Sequence, residues 1–210
     1  MKSPKNVSAS VRQHLLNRAG SDHRPFNELL QYYAMERFLY RLSQSVHVDR
    51  FILKGALMLR VWGSPELRPT MLNSPAPRLL CYSRESSIAE KFEAMVKLGM
   101  LNSRMKDFYD IWLLSRQFDF DGPRLTEAIR LTFERRGTEL PAEIDAFSAP
   151  FVENKQTQWA AFRKRLGQDH VPVSFREIAA LADSFLSPIV AVLSSGKQSP
   201  TNWTAPGPWV

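Results

Sequence analysis

An α+β fold that is predominantly α-helical is predicted for this chain, on three observations. Apolar residues recur at i, i+3, i+4 and i+7 through much of the 210 residues, which is the spacing of one helix face. Stretches that read as strands are few and short, at residues 50–54 and 79–82. Helix punctuation recurs, with serine–x–x–glutamate ahead of apolar runs and glycine behind them. On this reading residues 1–85 hold N-terminal helices and a strand-bearing core, residues 86–193 a helical region, and residues 194–210 a tail.

The elements follow in order. Residues 7–19 read as a short amphipathic helix carrying Val11, Leu15 and Ala19. Pro25 suits the first position of a longer helix, whose apolar face is Phe26, Leu29, Leu30, Tyr33, Phe38 and Leu42, with Arg37 and Arg41 beside it. The strand at 50–54 runs through Lys54 into Gly55, and a helix is expected over 56–62. A strand, a glycine and a helix N-terminus can cradle phosphate, because glycine allows close approach and the first N–H groups point outward. Lys54 and Gly55 are therefore candidate nucleotide-binding residues, although a lone glycine at such a turn is a weak signal. Residues 63–78 contain four prolines and no periodicity, and read as a loop or crossover.

The central stretch from Ser86 to Gln117 reads as two helices joined at Gly99. Ser87 and Glu90 have the spacing of a capping box, and Ile88, Phe92, Met95 and Val96 supply the apolar face. Asn102 or Ser103 is placed to cap the second helix, with Met105, Phe108, Ile111, Trp112 and Ser115 facing inward. Lys91 lies early in the first helix, and Asp107 and Asp110 share a stripe of the second beside Lys106. A lysine and two carboxylates on adjacent helices could face one ligand. On spacing alone, two amphipathic helices with solvated charges are the simpler account, Lys106 and Asp110 being an ordinary i,i+4 pair.

Further along, residues 125–135 and 156–166 read as helices, with 137–152 irregular between them. Ser174 and Glu177 form a second capping box, opening a helix to about residue 193 that Pro188 should kink. The tail is rich in serine, proline and glycine, and apart from Trp203 and Trp209 has little apolar content. It is expected to be disordered.

Composition narrows the function classes. No apolar run reaches the ~20 residues that span a bilayer, and no apolar stretch follows the N-terminal lysines as in a secretory signal. One cysteine, Cys81, excludes an internal disulfide and suits a reducing cytoplasm. Four scattered histidines with that cysteine make no zinc site. The net charge of +7 points to an anionic partner, nucleic acid or nucleotide first. Arg165 and His170, and more loosely Arg41 and His47, have spacings met in some helical ribonucleases. In a chain with 28 lysines and arginines such pairs arise by chance.

FILKGALMLRVWG followed by RPT, then IAEKFEAMV, then NSRMKDFYDIWLL, resembles the AbiEii/AbiGii abortive-infection nucleotidyltransferase toxins. The resemblance implies a polymerase-beta-like nucleotidyltransferase fold, present here as a remnant with a depleted sheet and a C-terminal helical bundle. It implies use of a nucleoside triphosphate with Mg2+, and transfer of nucleotides to tRNA or another RNA. It also implies a cognate antitoxin encoded nearby and a role in toxin–antitoxin or phage-defence systems. By that resemblance Gly55 packs beside the triphosphate, Lys91 touches phosphates, and Asp107 and Asp110 form the late acidic motif.

One departure bears on activity. The family's metal ligands are an Asp-x-Asp pair just beyond R-P-T, whereas here Arg68-Pro69-Thr70 is followed by Met71-Leu72-Asn73-Ser74-Pro75. Between Gly63 and Glu85 the only acidic residue is Glu66. The pattern fits loss of an internal block carrying the aspartates and several strands. Impaired catalysis is expected, with no metal site, or else a non-catalytic protein that still binds nucleotide, RNA or a partner.

Overall fold

The computed structural model describes residues 6–55, 58, 62, 70–196 and 199–210. The chain divides between Tyr82 and Ser83 into two units.

In the first unit, α1 (Val7–Ser21) starts at Asn6, whose side chain accepts the Ala9 N–H at 3.0 Å, and α2 (Phe26–Ser43) follows Pro25. Proline thus precedes the helix rather than opening it. Leu15 and Leu29 are fully buried. The loop at 70–75 is tied to these helices, because the Met71 N–H donates to Glu36 at 2.8 Å and Arg37 donates to the Pro75 carbonyl at 2.8 Å. Strand β1 (Ile52–Leu53) pairs in parallel with β2 (Leu80–Cys81), Ile52 opposite Leu80. Among the described residues the sheet stops at these two strands. Phe51, Ile52 and Leu80 are each more than half exposed. Of the helix expected over 56–62, only Met58 and Trp62 are described, and both are helical.

The second unit is a helical bundle. Its helices are α3 (Arg84–Leu98), α4 (Met105–Gln117), α5 (Gly122–Arg136), α6 (Ala149–Leu166) and α7 (Phe175–Ser195). Helix α3 packs on α5, and α7 packs on α4 and α6. Ile88, Phe92, Phe108, Ile111, Ile129, Phe151, Trp159, Phe175 and Phe185 are fully buried. Phe108 stacks on Phe151 and meets Phe175 edge-on, with ring centres 5.7 and 5.1 Å apart, geometries that suit the aromatic quadrupole. Helix α7 is long and apolar enough to cross a membrane by length and composition. Its Phe185, Leu186 and Ile189 are fully buried within the bundle, so it reads as a core helix. It runs on through Pro188.

Several expected helix starts are corrected. Helix α3 begins at Arg84, capped by Ser83, which accepts the Ser86 N–H at 3.1 Å. That places Ser87 and Glu90 inside the helix, too late to form a capping box. Glu90 pairs instead with Arg136 at 2.9 Å, and Arg136 also binds the buried Glu93 at 2.7 Å. Ser174 caps nothing with its side chain; the Phe175 N–H goes to Gln156 of α6 at 2.8 Å. Helix α6 starts at Ala149, a full two turns earlier than its apolar spacing suggested, because Ser148 accepts the Phe151 N–H and Pro150 is tolerated in the first turn.

Residues 199–210 hold defined structure, where the sequence predicts disorder. Strand β4 (Asn202–Trp203) pairs antiparallel with β3 (Phe120–Asp121), and Trp203 is buried with its indole N–H on the Ser115 carbonyl at 2.6 Å. Trp209 stacks on Phe185 at 5.5 Å. Two indoles bury enough area to order a segment that its other residues could not. Gly122 leaves room for the returning chain: a Cβ there would lie 1.8 Å from the Pro200 carbonyl oxygen.

Candidate functional site

Helices α3 and α4 are joined by a short turn at Gly99, which takes φ +46, a backbone region that favours glycine. The turn folds the two helices against each other and brings Lys91 of α3 over the first turns of α4. Asp107 and Asp110 are i,i+3 on α4 and so share a face. The Lys91 ammonium lies 3.3 Å from Asp107 Oδ1 and 2.7 Å from Asp110 Oδ2. Lys106 donates to both Asp110 oxygens, at 2.8 and 2.6 Å. Arg104 stands 3.8 Å from Asp107. Asp110 is 1% exposed and Lys91 19%, so the inner pair is held in a medium where unpaired charge is costly.

Burial pulls the Lys91 ammonium toward the neutral form, but Asp110 and then Asp107 more than offset it and hold its pKa above the ordinary lysine range. The sign follows from linkage. A group whose folded pKa exceeds its unfolded value contributes stability below the unfolded pKa and loses it as pH rises through the folded one. Denaturant unfolding is therefore expected to show stability falling above the normal lysine pKa, with a flatter alkaline limb in Lys91→Met. Equal limbs in the two proteins would contradict the pairing. Beside this cluster burial, and then the Asp110 charge, raise the Tyr109 phenol, whose hydroxyl donates to Gln168 at 2.9 Å.

The structure thus brings Lys91, Asp107 and Asp110 together, paired with one another. Arg104, which completes the cluster, was not singled out from the sequence; its position three residues before Asp107 was the available signal. Lys54 and Gly55 belong to the first unit. The Lys54 ammonium lies 5.2 Å from the Tyr82 ring centre, and Gly55 takes φ +89, with its carbonyl accepting the Met58 N–H at 3.0 Å. The remainder of the proposed cradle lies outside the described residues.

These residues do not fit a catalytic Mg2+ pair. A hard divalent ion needs carboxylate oxygens free to coordinate it, and both Asp110 oxygens accept from lysine ammonium groups. Among the described residues no group of three or more His, Cys, Asp or Glu side chains could hold a metal ion. No further carboxylate stands in residues 71–84.

A family model described as "Nucleotidyl transferase AbiEii toxin, Type IV TA system" matches residues 63–181. The match spans more than half of the chain and includes Lys91, Asp107 and Asp110, while Lys54 and Gly55 precede it. Neither the curated proteins nor the solved structures gave a match.

Proposed function

The chain belongs to the AbiEii family of nucleotidyl transferase toxins of type IV toxin–antitoxin systems, and from that premise we propose that it is a nucleotidyltransferase-like toxin component impaired in transfer on its own. Membership carries with it a nucleotide substrate and an antitoxin partner. The finer reading is that the acceptor is tRNA or another RNA, that the antitoxin is encoded nearby, and that the pair acts in the cytoplasm in abortive infection and phage defence. In it Lys91 contacts triphosphate oxygens, Asp107 and Asp110 stand as the late acidic motif, and Lys54 and Gly55 sit beside the nucleotide.

The observation that supports impairment is the lysine pairing of Asp110. Lys106 donates to both of its oxygens and Lys91 lies on Oδ2, so two ammonium groups stand against the carboxylate where a divalent ion would have to approach. Nucleotidyl transfer depends on metal-bridged phosphates and a cation that offsets developing charge, and of those parts this chain's described residues supply the cation. A second reading, a non-catalytic protein that binds nucleotide, RNA or a partner, draws on the missing Asp-x-Asp after Thr70.

Purified protein with Mg2+, each labelled triphosphate and total tRNA is expected to give no label in RNA, with circular dichroism showing it folded. Label that enters RNA, and is lost in Lys91→Ala and Asp107→Ala, would overturn the impairment and point to carboxylates supplied by another chain.

A further inference from the structure

Gln158, Phe162 and Arg165 fall at i, i+4 and i+7 of α6, so they share one face. That face and the first turn of α4 enclose a groove of about 740 Å³ whose opposite wall carries Arg104, Lys106 and Asp107. Both walls belong to the second unit. Arg104, Lys106 and Arg165 meet Asp107 there; Lys106 is held on Asp110 at 2.6 Å and Asp107 is engaged by Lys91 at 3.3 Å, so the surplus of positive charge in the groove comes chiefly from Arg104 and Arg165. Arg165 is exposed and enters no ion pair or hydrogen bond among the described residues. Phe162 is half-buried, held from behind by Trp159 and Tyr109 with ring centres 5.5 and 5.8 Å away. Exposed Gln158 offers an amide with both a donor and acceptors.

An anionic peptide would use the cations and leave the ring idle. A nucleotide uses both, since every base has a face to stack and every link a phosphate. We propose that this groove holds an unpaired nucleotide of a single-stranded nucleic acid, with its base on Phe162, its phosphate on Arg165 and the neighbouring phosphate on Arg104 and Lys106. The binding needs no metal. The proposal rests on the transferase reading and deepens it by giving the acceptor strand a place to lie.

The test is fluorescence anisotropy with a short labelled single-stranded RNA, its DNA counterpart and its duplex, all in EDTA. Wild type is expected to bind the single strands more tightly than the duplex. Preference for RNA over DNA would identify the RNA as the source, and equal binding would assign the shared base–phosphate unit. Arg165→Ala and Phe162→Leu are each expected to weaken binding about tenfold, from a lost phosphate contact and a lost stacking face. Leucine keeps the packing against Trp159 apolar, so folding is retained. Lys164→Ala removes an exposed cation outside the groove and is expected to cost about twofold or less. Equal losses in Arg165→Ala and Lys164→Ala would overturn the groove in favour of diffuse attraction. So would undiminished binding by Phe162→Leu, or no binding by wild type. The transfer assay fails or succeeds separately: label in RNA overturns impairment whichever way these variants bind.

Discussion

Trp203→Ala is expected to destabilise the second unit by about 3–5 kcal/mol, the largest effect of any single substitution in the tail. The indole is 1% exposed and meets Phe185 edge-on at 4.8 Å and Trp209 at 5.5 Å. Truncation leaves a cavity between α7 and β3 and strips the Ser115 carbonyl of its donor, which stands 2.6 Å away. A buried acceptor left unpaired adds about 1–3 kcal/mol to the cost of lost packing. Trp203→Phe keeps a six-membered ring but loses the N–H together with pyrrole carbon, and is expected to fall between wild type and alanine. Equilibrium denaturation monitored by circular dichroism reads both. A tail that contributed nothing to the fold would leave the alanine variant within about 0.5 kcal/mol of wild type, as for a surface change.

Asp110→Ala is expected to cost about 3 kcal/mol, because it leaves the Lys91 ammonium largely buried with Asp107 as its remaining partner. Lys91→Met should cost less, since Asp110 keeps both of its bonds from Lys106. The double variant Lys91→Met with Asp110→Leu is expected to recover much of the loss, because apolar side chains of similar volume replace a pair whose desolvation offsets its attraction. The cycle over these proteins should therefore show a coupling of at least about 1 kcal/mol. Strict additivity would mean that the 2.7 Å contact contributes nothing to folding. A large coupling alongside an absence of transfer would place the pair in the architecture of the unit.

Much of the architecture was legible in the residues. The predominance of helix, the turn at Gly99 and the short strands at 52–53 and 80–81 all follow from local spacing and from glycine's freedom. The family was legible as well, through IAEKFEAMV and NSRMKDFYDIWLL, both inside the matched region. Helix starts were less so. Ser83 and Ser87 are equally good caps by composition; Ser83 takes the role, and Glu90 pairs with Arg136 of α5. At Ser174 the capping role passed to Gln156, a residue 19 positions from the N–H it accepts, beyond any local pattern.

That most of the chain is helical, which family it joins and that no acidic pair follows Thr70 can be read from the residues alone. That Trp203 joins the core and that Lys91 closes on Asp107 and Asp110 is visible only in three dimensions. Both outcomes depend on contacts between residues far apart in the chain. Trp203 is ordered by Ser115 and Phe185, and Asp110 gains a second ammonium, Lys91, from another helix. A spacing rule sees one face of one element, whereas burial and charge pairing are settled by whatever the opposite element presents.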